Sequence, residues 1–332
     1  MKLIVTGGAG FIGSNLILYL HDNFPDVSIL NIDKLTYASD INYLNPLKNS
    51  RRYHFKKLDL TDRNQVKDVV KSWQPDGVIH LAAESHVDNS IRGPEPFVLS
   101  NVVGTFNILE ECRQIWFDEQ NDSKVKRFLH VSTDEVYGTL DDEGAFTEET
   151  PYAPNSPYSA TKAGSDMLVR SYFHTYSMDT VITNCSNNYG RHQHDEKLIP
   201  TVIRKALAHD PIPVYGKGEN VRDWLHVQDH CNALMKIFFE GEAGGHYNIG
   251  GENEWKNIDL VRLICDILNR EAGEGPDGDY AKLISYVTDR PGHDYRYSVD
   301  ISKIKSELNW SPSENFEELL TQTVKWYINR YS

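Results

Sequence analysis

The stretch Lys2-Leu3-Ile4-Val5-Thr6-Gly7-Gly8-Ala9-Gly10-Phe11-Ile12-Gly13 decides the fold. Its apolar and β-branched start predicts a short buried strand. The glycines at positions 7, 10 and 13 then lead into a helix, and they leave room for backbone to approach a diphosphate at the helix N-terminus. Many glycine-rich turns exist for steric reasons alone. Here the turn lies between a strand and a helix, which is the context that dinucleotide binding requires.

Strands and helices alternate through the first part of the chain. After the first strand we predict further strands at 27–32, 53–58, 77–81, 127–131 and 181–185, and long helices at 94–117 and 157–176. This order predicts an α/β fold, a Rossmann-type doubly wound parallel sheet with helices on both faces.

The pattern becomes less regular from residue 191. Helices near 197–209, 229–240, 257–270 and 315–330 alternate with short strands near 212–215, 246–249 and 283–287. We therefore predict a cofactor-binding domain over residues 1–190 that carries the catalytic residues. Residues 191–332 are predicted to form mostly a smaller mixed α/β substrate lobe. The boundary is soft, because segments are expected to cross between the lobes.

The composition excludes several classes of partner. The chain has 332 residues, of which 25% are charged, and a formal net charge of −14. So acidic a chain argues against nucleic acid and anionic membranes as partners. Its four cysteines are far apart, which predicts buried free thiols. No signal peptide or membrane-spanning run is evident, and we expect a cytoplasmic protein.

An acidic residue follows the second predicted strand. The carboxylate of Asp33 is placed to accept hydrogen bonds from the ribose hydroxyls of an adenosine, and it would repel a 2′-phosphate. The alternative is that Asp33 caps the next turn. We expect NAD rather than NADP as the cofactor.

A catalytic group is predicted around Ser132-Thr133-Asp134-Glu135-Val136-Tyr137-Gly138. This stretch follows the buried strand at 127–131, and open α/β sheets bind ligands at the carboxyl ends of their strands. In a helix farther along the chain, a tyrosine and a lysine lie four residues apart and share one face. We expect one catalytic group of five side chains: Thr133, Asp134, Glu135, Tyr158 and Lys162.

Tyr158 is a useful base only if its pKa falls by about 3 units toward neutrality. The Lys162 ammonium and a positive nicotinamide ring would both lower it. Tyr158 could then remove a proton from a sugar hydroxyl while the neighbouring carbon gives hydride to NAD, with Thr133 hydrogen-bonded to the same oxygen. The alternative is a pair of partly exposed residues on one helix face.

The adjacent carboxyls of Asp134 and Glu135 point in different directions as they leave the strand. A ketone at carbon 4 of a sugar acidifies the hydrogen on carbon 5, which Glu135 could remove. A neutral Asp134 could protonate the leaving hydroxyl on carbon 6. Burial and mutual repulsion can keep one carboxyl ionised and the other protonated. The alternative, two surface acids in a turn, fits Asp141–Glu143 better.

Two histidine patterns are weak indications of a metal. The run His192-Gln193-His194-Asp195 lies in a polar loop without an evident third ligand. His226 and His230 are four residues apart but lack the glutamate of H-E-x-x-H. We expect no metal site.

Taken together, Thr6–Gly13, Leu81–Asp88, Ser132–Gly138 and Tyr158–Lys162 resemble the extended short-chain dehydrogenase/reductases. Within that superfamily, Thr133-Asp134-Glu135 resembles the dTDP-glucose 4,6-dehydratase family. Further segments similar to that family follow in order: 33–37, 185–190, 196–200, 222–225 and 289–294.

The resemblance implies a tightly held NAD, the conversion of dTDP-glucose to dTDP-4-keto-6-deoxyglucose, and a homodimer formed through the helices at 94–117 and 157–176. It makes Asp134 the dehydration acid, Glu135 the dehydration base and Tyr158 the oxidation base. The implied cofactor residues are Gly7, Gly10, Phe11, Ile12, Gly13, Asp33, Lys34, Leu35, Thr36, Asp59, Leu60, Leu81, Ala82, Ala83, Ser85, Ser100, Tyr158, Lys162 and Asn188. The implied substrate residues are Ser85, Thr133, Asn187, Lys197, Leu198, Pro213, Tyr215, Arg222, Asn257, Arg290 and His293.

Three alternatives remain open at this point. A UDP-glucose 4,6-dehydratase would differ only in the base of its substrate. A nucleotide-sugar 4-epimerase of the same superfamily would share Tyr158 and Lys162 but would not need the acid–base pair. A non-catalytic NAD-sensing or scaffold protein would need none of the five side chains together.

Overall fold

A computed structural model describes residues 1–118, 126–289 and 292–331. Its strands are β1 Lys2–Thr6, β2 Ser28–Asp33, β3 Tyr53–Lys57, β4 Gly77–His80, β5 Arg127–Thr133, β6 Thr180–Cys185, β7 Asn187–Tyr189, β8 Ile212–Tyr215, β9 Val221–His226, β10 His246–Ile249, β11 Glu254–Lys256 and β12 Ile284–Val287. Each of the strands predicted from the sequence is present. Their ends differ by one residue or less, except that β5 extends two residues beyond the predicted end at residue 131.

Seven of these strands form one sheet in the order β10-β6-β5-β4-β1-β2-β3. All neighbouring pairs are parallel, and β1 lies between β2 and β4, with Leu3 paired to Ile29 and to Gly77. The predicted doubly wound parallel fold is therefore confirmed. Because the strand order reverses at β1, a crevice opens there at the carboxyl edge, where such sheets bind ligands.

Helices cover both faces of the sheet and also form a second hydrophobic core outside it. They are α1 Phe11–Asn23, α2 Arg63–Trp73, α3 Val87–Arg92, α4 Glu95–Phe97, α5 Gly104–Asp118, α6 Pro157–Tyr176, α7 Leu198–Leu207, α8 Val227–Glu240, α9 Asn257–Glu271, α10 Ser302–Leu308 and α11 Phe316–Tyr331. The helix predicted at 157–176 is confirmed to the residue as α6. The one predicted at 94–117 consists of α4, a π-helical segment Val98–Val103 and α5.

The core of the sheet contains residues from late in the chain. Ile237 of α8 and Tyr247 of β10 are fully buried together with Leu3 and Leu16 near the N-terminus. A separate core joins α7, α9 and α11, with Ile203 among its buried residues. The chain thus leaves the sheet after β6, starts the second core, and returns to the sheet through α8 and β10.

Two small sheets lie outside the main one. The first has the order β11-β9-β7, and the second pairs β12 with β8 in parallel. The sequence patterns did not predict β7, β9 and β11. These strands are short or carry polar and charged side chains in place of a clear alternation, as in Asn187-Asn188-Tyr189. In the described part of the chain, no helix combines the length and the apolar character needed to cross a membrane.

Candidate active site

A cleft lies at the carboxyl edge of the sheet, where the strand order reverses. Its lining includes all five predicted catalytic residues, Thr133, Asp134, Glu135, Tyr158 and Lys162. It also includes every predicted cofactor residue except Leu35. Thr133 is the last residue of β5, and Asp134 and Glu135 begin the 3-10 turn that follows it, whereas Tyr158 and Lys162 lie in the first turns of α6. The structure therefore brings the two sequence motifs to one place.

The glycine-rich turn forms one end of this cleft. Gly7 has a positive φ of 69°, and a Cβ there would lie 2.8 Å from the backbone of Ala82, so β1 and β4 approach closely because the side chain is absent. No described side chain caps α1 at Gly10. Because the first-turn N–H groups of a helix lack intrahelical partners, this end of α1 suits a diphosphate.

Asp33 holds the turn in place at the end of β2. Its carboxylate accepts hydrogen bonds from the backbone N–H of Ala9 at 2.9 Å and of Leu35 at 2.8 Å, and from the Ser39 hydroxyl at 3.2 Å. Asp33 therefore caps the following turn, as the alternative predicted, and it also lines the cleft. A carboxylate offers about four acceptor sites, so these three contacts leave capacity for a ribose hydroxyl.

Lys34 and Ser100 meet across the same end of the cleft. The Lys34 ammonium donates to the Ser100 hydroxyl at 2.7 Å and lies 2.9 Å from the Glu84 carboxylate. Glu84 is in turn held by Asn101, which accepts from its backbone N–H at 2.8 Å and donates to its carbonyl at 3.0 Å. The π-helical segment supplies both Ser100 and Asn101, so its wider turn helps to shape the cofactor end.

The chemistry of the reactive end depends on Asp134, whose side chain is only 2% exposed. Burial raises the pKa of its carboxyl well above the usual value, and the charges of Glu135 and Asp223 raise it further. The Thr133 hydroxyl donates to Asp134 Oδ1 at 3.3 Å. Burial and the nearby charges therefore favour the protonated form of Asp134, beside a second carboxyl that is partly exposed.

Tyr158 and Lys162 line the same cleft and are also buried. The Lys162 ammonium donates to the Val131 carbonyl at 2.8 Å. The sequence analysis expected a lowered pKa for Tyr158, and for the protein without its cofactor this prediction is wrong. Burial raises the pKa of Tyr158 well above its usual value, and the nearby charge of Glu135 raises it further. The reason is that desolvation of a buried phenolate outweighs the local hydrogen bond from Thr133.

The predicted substrate residues fall into two groups. Ser85, Thr133, Asn187 and Lys197 line the cleft, and the Lys197 ammonium donates to the Ser85 carbonyl at 3.0 Å. A second group lies outside the lining of this cleft, in the second lobe and the segment after β12: Leu198, Pro213, Tyr215, Arg222, Asn257 and His293. Arg290 lies outside the described residues.

Arg222 is buried next to the reactive end rather than extended into solvent. Its guanidinium donates to the carbonyls of Val221, Asp294 and Tyr295 at 2.7, 2.9 and 3.2 Å, and it lies 4.3 Å from the ring centre of Tyr297. Its positive charge opposes the rise in the pKa of Asp134. The same lobe therefore brings a fixed cation close to the proposed acid.

The cleft also contains residues that the sequence analysis did not select, including Cys185, Ser186, Gln193, His194 and Glu196. Glu196 lies between two histidines, 3.8 Å from His86 Nε2 and 3.7 Å from His194 Nδ1. The only feature of the sequence that could have identified Glu196 as a site residue was its position directly before Lys197 in a polar loop. The other lining residues are visible only once β6 and the loop after β7 are placed.

Comparison with known proteins gives one consistent result. A family model described as GDP-mannose 4,6 dehydratase matches residues 4–323. The dTDP-glucose 4,6-dehydratase of Escherichia coli is 50% identical over 341 residues, covering 99% of this chain and 94% of that protein. The structure of DesIV, a dTDP-glucose 4,6-dehydratase from Streptomyces venezuelae with NAD and TYD bound, is 41% identical with a TM-score of 0.89 and covers 99% of this chain and 97% of that chain.

The same backbone also supports another reaction. The UDP-glucose 4-epimerase of Thermotoga maritima, solved with UDP-glucose, has a TM-score of 0.87 with 25% identity and full coverage of both chains. The overall fold therefore does not separate dehydration from epimerisation, whereas identity over nearly the full length does. At the level of the site, the separation must come from particular side chains.

Proposed function

The chain belongs to the dTDP-glucose 4,6-dehydratase family, and on this basis we propose that it converts dTDP-glucose to dTDP-4-keto-6-deoxyglucose with a resident NAD. One observation carries the assignment: Asp134, a buried acid whose pKa is raised, stands directly beside Glu135 in the cleft that contains Tyr158 and Lys162. Elimination of water needs both an acid and a base, whereas epimerisation at carbon 4 needs neither of these two carboxyls.

The residues that line the cleft fit NAD. The uncapped end of α1 suits the diphosphate, and Asp33 with Lys34 and Ser100 shapes the adenosine end. When bound, NAD supplies a reversible acceptor for the hydride of carbon 4. We propose that Tyr158 and Lys162 hold the nicotinamide ribose at the opposite end.

In the first step, we propose that Tyr158 takes the proton of the carbon 4 hydroxyl, and that Thr133 donates a hydrogen bond to the same oxygen. The raised pKa of Tyr158 makes the phenolate a strong base once formed, so a nearby cation must stabilise it. Lys162, one helical turn away on α6, is the residue of the chain proposed for this role.

In the second step, the carbon 4 ketone acidifies the hydrogen of carbon 5. We propose that Glu135 takes this proton while Asp134 gives its own proton to the carbon 6 hydroxyl. The C–O bond at carbon 6 breaks, water leaves, and a double bond forms between carbons 5 and 6. One carboxyl gains a proton and the other loses one, so the pair needs no outside acid or base during the elimination. Return of the hydride to carbon 6, together with a proton to carbon 5 from the carboxyl of Glu135, would then give the 4-keto-6-deoxy sugar and leave the bound cofactor oxidised, as at the start.

Mass spectrometry of the product tests this function directly. Purified protein is incubated with dTDP-glucose and, in parallel, with UDP-glucose, without added reductant. We expect the dTDP-sugar to lose the mass of one water. Loss of water from UDP-glucose alone would assign a UDP-glucose 4,6-dehydratase. An unchanged mass combined with a change of configuration at carbon 4 would assign an epimerase, and an unchanged sugar with retained NAD would favour the non-catalytic alternative.

The second core provides support for a substrate lobe. Strands β8 and β9 carry Pro213, Tyr215 and Arg222, and we propose that this part of residues 191–332 binds the nucleotide of the substrate. Arg222 supports the proposal because a guanidinium matches paired phosphate oxygens. Truncation of this arginine should weaken binding of dTDP, measured by calorimetry, without changing the NAD content.

We also propose a homodimer formed through the two helical regions at 94–117 and 157–176, the second of which is α6. Val98, Leu99 and Met167 expose 46%, 44% and 48% of their surface although they are apolar, and α6 packs against the π-helical segment. Such side chains suit a covered interface. Light scattering on a sizing column should give twice the mass of the chain, and Leu99→Lys with Met167→Lys should give the single mass.

A cytoplasmic location is proposed as well. It is supported by four cysteines that are buried and unpaired, a state typical of reducing compartments. Fractionation of cells that express the chain would test it, with the protein expected among cytoplasmic markers.

A further inference from the structure

The carboxylate of Asp166 is fully buried behind the proposed catalytic residues. Its Oδ2 accepts hydrogen bonds from the Ser132 hydroxyl at 2.8 Å and the Tyr152 hydroxyl at 3.0 Å. Its Oδ1 lies 3.1 Å from Nε2 of His130, which is equally buried. A carboxylate so far from water is retained only where several groups compensate its charge.

These contacts join the two parts of the catalytic group. Ser132 is the residue directly before Thr133 at the end of β5, and Asp166 lies on α6 one turn after Lys162. The Ser132–Asp166 hydrogen bond therefore fixes the position of the strand end relative to the helix. A shift between β5 and α6 would move Thr133, Asp134 and Glu135 away from Tyr158, and small displacements of reacting groups have large effects on rate.

The charge of Asp166 has a second consequence. Burial acts to raise the pKa of Asp166, but the contact with His130, the charge of Lys162 and the hydrogen bond from the Ser132 hydroxyl lower it below its usual value. Asp166 is therefore ionised. Burial in turn lowers the pKa of Lys162, and the charge of Asp166 is the main influence that opposes this.

The other titratable groups around the pair are neutral at pH 7. Burial lowers the pKa of the three histidines, with His130 at about 4, and it raises the pKa of both tyrosines and of the thiol. The three histidines are His80 on β4, His130 on β5 and His246 on β10, and the thiol is that of Cys185 on β6. The two tyrosines, Tyr137 and Tyr152, lie in the segments after β5. Asp166 is thus the anion that balances Lys162.

We propose that Asp166 is a positioning residue for the reaction: its buried carboxylate holds the end of β5 against α6 and keeps Lys162 in the ammonium form beside Tyr158. This inference rests on the proposed function, because it assigns a task to Lys162. It assigns no contact between Asp166 and the substrate. Both effects act through other residues, one through Ser132 and the other through Lys162.

The test compares Asp166→Asn with Tyr152→Phe in the NAD-loaded protein. Asparagine keeps the size and can still accept from Ser132, but it removes the charge. Tyr152→Phe removes one hydrogen bond to Asp166 and leaves the charge. We expect the alkaline limb of the kcat profile to move to lower pH in Asp166→Asn, because the variant loses the main influence that opposes the fall in the pKa of Lys162.

Tyr152→Phe should keep the alkaline limb of the wild type, and so should Asp166→Glu, which restores the charge. A wild-type alkaline limb in Asp166→Asn would overturn the proposal, and so would an equal shift in Tyr152→Phe. A purely structural role would lower kcat at every pH without moving the limb. If Asp166→Asn does not fold, the double variant Ser132→Ala with Tyr152→Phe replaces it. The double variant keeps the charge, so a shifted limb there contradicts the charge assignment.

NAD binding provides a readout that does not depend on turnover. NAD binding, measured by calorimetry over a range of pH, should be lost as the pH is raised. This loss should begin at a lower pH in Asp166→Asn than in the wild type, because Lys162 is proposed to hold the nicotinamide ribose. If the wild type fails to dehydrate any nucleotide sugar, the proposed function fails, and the binding profile alone then decides the role of Asp166. A profile identical to that of the wild type would reject it.

Discussion

The Thr133 hydroxyl donates to Oδ1 of Asp134 at 3.3 Å, while Oδ2 of Asp134 is buried and has no hydrogen-bond partner among the described residues. A buried carboxylate oxygen without a donor is costly when charged and much less so when it carries a proton. The geometry therefore favours the neutral acid. It also means that the residue proposed to protonate the leaving group destabilises the folded protein at neutral pH.

Asp134→Asn should consequently stabilise the protein at pH 7. The raised pKa means that Asp134 stays protonated in the folded protein and ionises in the unfolded chain, so its contribution to stability is present at acid pH and lost as the pH rises toward the folded pKa. Each unit of the difference corresponds to about 1.4 kcal/mol. Thermal unfolding should show a higher midpoint for Asp134→Asn at pH 7 and a smaller gain near pH 4. Asp141→Asn, at an exposed acid, should change neither value. An equal gain at both pH values would contradict a buried neutral acid.

The partial reactions of Asp134→Asn and Glu135→Gln should separate oxidation from elimination. Both variants keep Tyr158 and Lys162, so each should still oxidise carbon 4 and accumulate reduced nicotinamide, seen by its absorbance. Loss of general acid or base catalysis should slow water release by about 10²- to 10⁴-fold. Tyr158→Phe is the matched control, because it should lose both the absorbance signal and the product. Water release by Glu135→Gln at the wild-type rate would remove Glu135 from its proposed role.

The N-terminal cap of α6 should affect both stability and rate. Ser156 accepts from the Ser159 N–H at 3.1 Å in a reciprocal capping box, and Tyr158 lies in the turn that this box fixes. Ser156→Ala should lower the free energy of unfolding by about 1 kcal/mol and also lower kcat.

Asp62→Ala is the matched control for the cap. Asp62 caps α2 by accepting from the Gln65 N–H and is not among the residues that line the cleft. Denaturant unfolding should show a similar loss of stability in both variants, whereas kcat should fall only in Ser156→Ala. A comparable fall of kcat in both would show that the cap has no specific effect on Tyr158.

Gly13→Ala should weaken NAD binding. A Cβ at Gly13 would collide with the Gly7 carbonyl oxygen and would lie 2.7 Å from the Cα of Gly8, which are backbone atoms of the turn. Such overpacking costs about 1–3 kcal/mol, and NAD affinity measured by calorimetry should fall by about tenfold or more. Gly164→Ala on α6 is the control: its Cβ meets only Val102 at 3.7 Å, so affinity should be unchanged and stability should rise by up to about 1 kcal/mol.

The elements with strong local signals could be predicted from the sequence. Helix α6 begins with Ser156 as N-cap and Pro157 in its first turn, and its C-cap Ser177 adopts a left-handed conformation. These features are local, so the predicted bounds agree with the structure. Likewise, the motifs around Asp134 and Tyr158 identify a common cleft because parallel strands end at the same edge.

Features that depend on long-range packing could not be predicted. Strand β10 pairs with β6 because the chain from α8 to β10 packs against the sheet, with α8 in contact with α1. The pKa of Tyr158 depends on its burial and on the position of Glu135, neither of which is visible in a Tyr-x-x-x-Lys spacing. Asp166 lies in the same helix as the motif, but its partners come from β5 and from the segment before α6.

The late entry of β10 into the sheet has a consequence for synthesis of the chain. Until Ile249 has left the ribosome, β6 is the terminal strand and presents unpaired N–H and C=O groups along its outer edge. Unprotected edges pair readily with other chains, and nascent chains with exposed strands are prone to aggregation. The nascent protein thus has to shield this edge while β7, β8 and β9 are made. A fragment that stops near residue 190 would carry the same exposed edge permanently.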